Sequence, residues 1–218
     1  ENELPRKRVK GTVGTGAMND PYMPLEKQLN LTGRALETIA RHRFPVHILT
    51  KSDLVLRDIH ILHEIQKTYA AVSFTITTAD DDLGKKLEPG ASLVSERFQA
   101  IRTLASHGIY TGILLMPVLP FIEDNQENIV SIVKMAHESG ASYIKASFGM
   151  TLRDRQREYY YDKLDESFPG LKQKYIKHFG NQYSAYTDQA GRLDKIFKQT
   201  CQQHNIETHI IPFSPEKA

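Results

Sequence analysis

Short apolar runs alternate with longer amphipathic stretches along most of the chain. Runs of strand length predict β-strands at residues 9–15, 45–50, 70–78, 110–118, 141–148 and 207–213. Apolar positions at helical spacing predict helices at residues 24–43, 54–69, 94–107, 125–139, 151–168 and 191–203. The pattern predicts a long loop between residues 80 and 93, and a mixed aromatic segment from the Pro169-Gly170 break to residue 186.

This alternation of strands and helices predicts an α/β fold with a parallel sheet, because each right-handed crossover returns the next strand beside the last. The runs at residues 46–49, 72–76 and 113–118 are apolar almost throughout, which indicates burial on both faces. We therefore expect a barrel or partial barrel rather than an open doubly wound sheet. Residues 1–218 are predicted to form one domain, with residues 151–218 as a C-terminal helical extension that carries the last strand.

The first predicted strand opens into a glycine-rich loop, Gly14-Thr15-Gly16, which an acidic and aromatic turn follows. Glycine permits positive φ and close backbone approach, so the loop is expected to bind a ligand at the carboxyl end of the strand. Asn19 stands where a dinucleotide fingerprint needs its third glycine, and no Gly-Lys-Ser/Thr follows, which disfavours Rossmann and P-loop sites. A plain strand-to-helix connector is the alternative for this stretch.

The composition bears on three classes of protein: nucleic-acid-binding, disulfide- or cluster-containing, and membrane proteins. The 28 Lys and Arg nearly balance the 26 Asp and Glu, so no global field attracts nucleic acid, although a local basic patch is compatible with this balance. Cys201 is the single cysteine, which excludes an internal disulfide and any cysteine-only metal or cluster site built from this chain by itself. No apolar run has the length of a membrane span, and residues 1–10 lack the apolar segment of a signal peptide. We expect a cytoplasmic protein without a membrane partner.

Polar side chains at the ends of the predicted strands are candidates for ligand binding. Lys51 follows the second strand, and Ser73 and Thr75 lie in the third, where a lysine and a hydroxyl suit a ligand carboxylate or phosphate beside the glycine loop. A surface lysine and ordinary strand residues would give the same pattern. His47, inside an apolar strand, is interpreted as a hydrogen-bonded core histidine.

Two groups of potential metal ligands fit a metal site poorly. The carboxylates of residues 80–82 could bind Mg²⁺ or Ca²⁺, but adjacent positions diverge and no EF-hand spacing follows. His60 and His63 share the polar side of their helix with charged residues, which favours a solvated face. The tyrosines at residues 159–161 are interleaved with basic residues and could stack on a nucleic acid strand, but docking of that helix on the barrel is favoured.

Several motifs, in order over nearly the whole chain, resemble the radical SAM proteins of the spore photoproduct lyase, or DNA repair photolyase-like, family. They lie at residues 14–26 (Gly-Thr-Gly-Ala-Met-Asn-Asp-Pro-Tyr-Met-Pro-Leu-Glu), 49–53 (Leu-Thr-Lys-Ser-Asp), 73–75 (Ser-Phe-Thr), 96–102 (Glu-Arg-Phe-Gln-Ala-Ile-Arg) and 116–124 (Met-Pro-Val-Leu-Pro-Phe-Ile-Glu-Asp). Agreement of several motifs in order is more specific than any one of them.

The resemblance implies a partial (βα) barrel of the radical SAM type that binds S-adenosylmethionine (SAM) at the carboxyl ends of its strands. The backbone of Gly14, Thr15 and Gly16 would approach the methionine amino group. Lys51 and Ser73 would bind the SAM carboxylate. Arg97 and Pro117 would shape the same pocket. The parent protein would then be a lyase-like enzyme that cleaves SAM reductively at a [4Fe–4S] cluster.

The sequence departs from the family at the cluster. The family holds its cluster with a CxxxCxxC loop after its first strand, and this sequence has neither that loop nor an earlier strand. We therefore expect a truncated barrel, missing its first strand and cluster loop. The resemblance implies a cluster in the parent protein but not in this chain, which alone would be inactive. The catalytic residues stay unassigned.

Two other classes of function remain open. The chain could be a non-catalytic barrel that binds a nucleotide-like ligand or a protein partner, or a metal-dependent hydrolase or lyase that uses residues 80–82. The family name implies a nucleic acid substrate, which the near-neutral charge does not support by itself. A barrel opened at one edge would also favour a homodimer through that edge.

Overall fold

The computed structural model describes residues 3–153 and 155–215. Five parallel strands form one sheet in the order β1-β2-β3-β4-β5. They are β1 (Val13–Thr15), β2 (Val46–Thr50), β3 (Ala70–Thr75), β4 (Tyr110–Leu115) and β5 (Tyr143–Ala146). Each lies inside one of the first five predicted runs, so the α/β class and the parallel sheet are confirmed.

Helices connect the consecutive strands of the sheet and continue after β5. They are α1 (Glu26–Leu29), α2 (Leu31–Arg41), α3 (Ile59–Gln66), α4 (Asp81–Leu87), α5 (Val94–Ser106), α6 (Gln126–Glu138), α7 (Gln156–Ser167), α8 (Leu171–Phe179) and α9 (Ala190–Gln203). Short 3-10 helices occupy Leu4–Arg6 and Asp53–Asp58. In the part of the chain that the structure describes, none of these helices has the length and apolar character needed to span a bilayer.

The two faces of the sheet carry different side chains. One face packs with the apolar sides of the helices in a single core that includes Val46, Ile48, Val72, Phe74, Ile113, Leu115 and Ile144. Because side chains alternate along a strand, the residues between them lie on the opposite, inner face. The strand register places four of these side by side: Leu49, Ser73, Gly112 and Tyr143. A five-stranded parallel sheet with helices packed on one face agrees with the partial barrel that we expected.

Residues 149–187 form a unit with its own small core, which we call the C-terminal unit. Its two strands, β6 (Gly149–Thr151) and β7 (Ser184–Tyr186), pair antiparallel, and α7 and α8 lie between them in the chain. Its core comprises Leu152, Tyr161, Leu164, Tyr175, Phe179 and Ala185. Tyr175 OH donates to Pro120 O (2.7 Å), so the unit is attached to the loop that follows β4.

The predicted sixth strand at residues 207–213 is wrong. Glu207 makes one parallel bridge to Tyr143, and the segment after it, as far as residue 215, has no strand. Two tyrosine hydroxyls bind the backbone of Ile211 instead: Tyr69 OH donates to Ile211 O (2.7 Å) and Ile211 N donates to Tyr110 OH (3.1 Å). These groups are therefore not available to a strand ladder.

Three predicted segments also differ from the structure. The helix predicted at residues 24–43 is divided at Asn30, whose φ is 48°. Within the predicted loop after residue 80 lies α4, because the Asp80 side chain accepts from Leu83 N (2.8 Å) and caps a helix. The predicted helix at residues 151–168 begins only at Gln156, and the mixed aromatic segment contains α8 and β7.

Candidate functional site

Asp20 fixes the glycine loop to the end of β2. Its Oδ1 accepts hydrogen bonds from Tyr22 N (2.9 Å) and Thr50 Oγ1 (2.7 Å), and its Oδ2 accepts from Lys51 N (2.6 Å). These bonds set the position of the loop relative to Lys51 at the carboxyl edge of the sheet. Sequence reasoning did not assign Asp20, and its only signal was the acidic turn after the glycines.

The three residues of the glycine motif have different environments. Gly16 has φ 90°, and a Cβ at this position would lie 1.9 Å from Leu49 O, so the loop lies directly against the β2 backbone. Gly14 is exposed, and a Cβ added there would meet open space. Thr15 pairs with Ile48 and shares the core face of the sheet, where its Oγ1 is buried without a hydrogen-bond partner among the described residues. Only the Thr15 backbone therefore belongs to the ligand edge.

Lys51 and Arg97, both predicted site residues, meet at the carboxylate of Glu88. Lys51 Nζ lies 2.7 Å from Glu88 Oε1, and Arg97 Nη1 lies 2.6 Å from Glu88 Oε2. The Lys51 side chain is 42% exposed, whereas that of Arg97 is 2% exposed. The site thus joins an accessible ammonium to a buried guanidinium through one carboxylate, which sequence reasoning missed.

Arg97 reaches this position from α5 because backbone oxygens hold its guanidinium. Its Nε donates to Ser92 O (2.9 Å) and its Nη1 donates to Thr75 O (2.8 Å) at the end of β3. These carbonyls and Glu88 compensate for burial of the charge. Arg97 therefore links α5, β3 and the segment from Glu88 to Ser92.

Ser73 is fully buried at the centre of the inner face. Its Oγ lies 2.8 Å from His47 Nε2 and 2.6 Å from Tyr143 OH. Burial lowers the pKa of His47 and raises that of Tyr143, so both side chains are neutral near neutral pH. His47 is hydrogen-bonded, as predicted, but only half-buried. The structure does not bring the Ser73 hydroxyl to the Lys51 cluster, since it is shared by two neutral partners.

Pro117 is exposed in the loop after β4, beyond a cis Met116-Pro117 peptide bond. It lies at the same edge of the sheet as Lys51. The loop is held by Val118 N, which donates to Ser147 O (3.1 Å), and by Glu123, which accepts from Leu119 N. Pro117 therefore belongs to the edge but not to the ion cluster.

Glu123 is a buried carboxyl that sequence reasoning did not single out. Its Oε1 accepts from Thr77 Oγ1 (2.6 Å) and its Oε2 accepts from Leu119 N (2.9 Å). Burial raises its pKa from 4.5 to about 7, although the two hydrogen bonds favour the ionised form. The group ties the end of β3 to the loop after β4.

Glu123→Gln is expected to stabilise the protein at pH 8 by up to about 3 kcal/mol and to change little at about pH 4. The folded-state pKa lies above the unfolded value, so the wild type binds more protons when folded, and its stability falls as pH rises from 4.5 to about 7. Glutamine removes this ionisation and can accept from Leu119 N and donate to Thr77 Oγ1. Urea unfolding at both pH values measures the difference. Glu127→Gln, at an exposed position on α6, is the control, and equal effects of Glu123→Gln at both pH values would contradict the account.

A cavity of about 270 Å³ adjoins Lys51 at this edge. Its lining also includes Asp20, Ser52, Gly90 and Ser92. A larger groove of about 760 Å³ lies on the outer side, between α2 and α3, and is lined by side chains of both charges. We place the candidate site at the smaller cavity, because the loops that follow parallel strands meet there.

The carboxylates of residues 80–82 do not converge. Asp80 caps α4. Ser95 donates to the Asp81 carboxylate from its backbone N (2.9 Å) and its Oγ (2.7 Å). Asp82 is exposed, and its Oδ1 lies 3.8 Å from Lys85 Nζ. His60 and His63 are exposed on α3. Across residues 3–153 and 155–215, no three His, Cys, Asp or Glu side chains are grouped to hold a metal ion.

The side chains described here do not fit a [4Fe–4S] cluster. Cys201 is buried on α9, and burial raises the pKa of its thiol to about 12, so it is protonated. A cluster needs several thiolates at one place. No chemical step is therefore derived through a cluster held by this chain.

The three consecutive tyrosines divide between docking and solvent. Tyr161 is buried in the core of the C-terminal unit, and Tyr160 OH donates to Tyr175 OH (3.0 Å). Tyr159 is 67% exposed, with Lys163 Nζ 5.9 Å from its ring centroid. Two of the three thus dock α7, but on α8 and the core of the C-terminal unit rather than on the barrel as expected.

Sequence comparison finds relatives that are longer than this chain. No protein-family model matches it. It is 33% identical over 121 residues to an uncharacterized protein of Methanocaldococcus jannaschii, covering 56% of this chain and 46% of the relative. It is 27% identical over 165 residues to an uncharacterized protein of Mycobacterium tuberculosis, covering 75% of this chain and 48% of the relative. A "Radical SAM Nalpha-GlyT isomerase" of Pseudomonas phage M6 is 28% identical over 121 residues, covering 56% and 25%. The chain spans about half the length of the first two relatives.

Solved structures share the fold. Spore photoproduct lyase complexed with dinucleoside spore photoproduct superposes with a TM-score of 0.67 at 16% identity, covering 93% of this chain and 61% of that chain. A variant of that lyase with bound AdoMet and dinucleoside spore photoproduct gives a TM-score of 0.69 at 14% identity, covering 96% of this chain and 64% of that chain. At these identities the likeness establishes architecture alone. The chain therefore has an α/β partial-barrel fold like that of spore photoproduct lyase.

Proposed function

We propose that this chain is the SAM-binding barrel portion of a radical SAM enzyme that resembles spore photoproduct lyase. The parent enzyme would cleave SAM reductively at a [4Fe–4S] cluster. This chain alone would be inactive, because Cys201 is its single cysteine. The fold, the ordered sequence motifs and the AdoMet-bound structural neighbour support the proposal.

The observation that carries the proposal is the meeting of Lys51 and Arg97 at one carboxylate. Glu88 occupies the space between these cations, with both oxygens within 2.7 Å of a nitrogen, and its pair with Lys51 shows that this ammonium can bind a carboxylate. Such charge-assisted pairs are the strong form of carboxylate recognition. The residues present therefore fit the amino-acid end of SAM.

Three of the predicted residues have a role in this proposal. The Gly16 backbone approaches the ligand amino group, since the loop can lie against β2 only without a Cβ. The exposed Lys51 ammonium binds the carboxylate, and Arg97 supports the same region from the interior. Bound SAM would supply the reactive group that the parent enzyme uses.

Lys51→Met is expected to weaken SAM binding at least tenfold, because it removes the accessible cation that pairs with the carboxylate. The same variant should bind 5′-methylthioadenosine, which lacks the amino-acid end, as well as the wild type does. Isothermal titration calorimetry or equilibrium dialysis of both ligands measures the two effects separately.

Lys67→Met is the matched control. Lys67 pairs with Glu64 at 2.6 Å on the exposed surface beside α3, so its loss removes a similar ion pair away from the site. A wild-type chain that binds neither ligand would overturn the proposed function. The chain would then be better interpreted as a non-catalytic binding module.

For the parent enzyme we propose a nucleic acid substrate. Tyr159 and Lys163 offer an exposed ring and a cation, and Tyr183 and Tyr186 on the same C-terminal unit are 59% and 56% exposed. Stacking and charge are the means by which proteins bind single strands without sequence preference. The lyase structure with a dinucleoside photoproduct also supports this substrate class.

We also propose that the chain self-associates through β1. This strand pairs only with β2 among the described strands, and Val9 and Met18 beside it are 72% and 89% exposed. An unpaired strand edge with exposed apolar residues favours association.

A further inference from the structure

The Lys51 ammonium is paired with a carboxylate of the chain itself. Its partner, Glu88, is 16% exposed and uses one oxygen for Lys51 and the other for Arg97. Lys51 lies at the edge of the cavity, so it is the cation of this cluster that a ligand can reach.

We propose that Glu88 is the specificity-determining residue of this site, because its charge opposes a ligand carboxylate on Lys51. The inference rests on the proposed function. It goes beyond that function because Glu88, a residue outside the predicted site, would set how strongly the amino-acid end of SAM binds.

Geometry forces the two carboxylates close together. Glu88 Oε1 lies 2.7 Å from Lys51 Nζ, and a ligand oxygen on the same nitrogen would lie at about 2.8 Å. The two oxygens can then be no more than about 5.5 Å apart, where like charges near a protein surface repel appreciably. A ligand carboxylate must bind against this repulsion or displace Glu88 from Lys51.

Arg97 does not depend on Glu88 alone. Its guanidinium also donates to Thr75 O and Ser92 O, so it stays hydrogen-bonded when the Glu88 charge is removed. A glutamine at this position keeps the side-chain shape and one acceptor oxygen. The variant Glu88→Gln therefore changes charge more than structure.

Glu88 also belongs to a segment that is attached to β2. Ser92 N donates to Lys51 O (3.2 Å), and Ser92 Oγ donates to Asp53 Oδ1 (2.7 Å). Displacement of Glu88 by a ligand would remove one of the contacts that hold residues 88–92 on the edge. Ligands without a carboxylate would leave this contact in place.

The test compares SAM and 5′-methylthioadenosine on the wild type, Glu88→Gln and Lys51→Met/Glu88→Gln. Glu88→Gln should bind SAM about tenfold more tightly and 5′-methylthioadenosine unchanged. In the double variant the gain should be lost, since the ligand carboxylate no longer has Lys51. Glu64→Gln, which breaks the exposed pair with Lys67, should change neither affinity.

A second measurement needs no variant. Hydrogen exchange of residues 88–92 in the wild type should be faster with SAM than with 5′-methylthioadenosine, because only SAM carries the carboxylate that displaces Glu88 from Lys51. If the wild type binds no SAM, both this inference and the proposed function fail. If the wild type binds SAM and Lys51→Met weakens it, but Glu88→Gln weakens SAM binding or leaves it unchanged, this inference alone fails. Weaker binding would mean that Glu88 attracts the ligand ammonium.

Discussion

Gly16→Ala is expected to lower the free energy of unfolding by about 4 kcal/mol. Gly16 has φ 90°, which L side chains rarely adopt, and its added Cβ would lie 1.9 Å from Leu49 O. The β2 backbone cannot yield as a flexible side chain would, so the loop must move away from the strand. Urea unfolding of purified protein measures the loss. SAM binding should weaken in the same variant, because the backbone at the proposed amino-group site has shifted.

Two other glycines separate the effect of backbone strain at positive φ from the effect of the contact with Leu49 O. Gly90 has φ 88° with nothing within 4 Å of an added Cβ, so Gly90→Ala reports backbone strain alone. Gly14 lacks both features, and Gly14→Ala should stay within about 0.5 kcal/mol of wild type. Equal losses at Gly16 and Gly90 would show that the contact with Leu49 does not contribute.

Arg97→Met should destabilise the protein by about 3–5 kcal/mol. The change removes a buried cation and leaves Thr75 O without the Nη1 donor and Ser92 O without the Nε donor, with Lys51 as the remaining partner of Glu88. Thermal or urea unfolding measures the loss.

Arg102→Met is the control for helix propensity and charge, since Arg102 is exposed on the same helix. It should change stability by less than about 0.5 kcal/mol. Adding Glu88→Gln to Arg97→Met should recover part of the loss, because the pair acts through one contact. If the losses in unfolding free energy caused by Arg97→Met and Glu88→Gln simply add in the double variant, Arg97 is held by the carbonyls alone.

The strands of the main sheet could be predicted because their signal is intrinsic to the sequence. Buried parallel strands such as β3 and β4 are short, mostly apolar runs between amphipathic helices, and this pattern is visible in the sequence. The last predicted strand failed because the side chains of Tyr69 and Tyr110, distant in sequence, bind the backbone of Ile211. No local pattern carries such a contact.

The missed helices have a similar explanation. In α4, Asp80 is an N-cap residue, but the acidic run and the following Pro89 and Gly90 were interpreted as a loop. In α8, aromatic residues such as Tyr175 pack on α7 and on the loop after β4, so tertiary packing favours the helix.

The site was predictable only in part. Lys51 was a candidate from its place after the second strand, Arg97 came only from the resemblance to a family, and the structure brings both to one place. Glu88 and Asp20 were missed because their role depends on where loops from different strands meet. Ser73 was expected at the ligand carboxylate, yet burial and its bonds to His47 and Tyr143 depend on the pairing of β3 with its neighbours.

The most direct test of the central claim is a crystal structure of this chain with SAM. The account predicts electron density for the ligand at the carboxyl edge of the sheet, with its carboxylate on Lys51 Nζ and its amino group against the Gly16 backbone. SAM bound elsewhere, or a site that stays empty at saturating ligand in solution and in the crystal, would contradict the account.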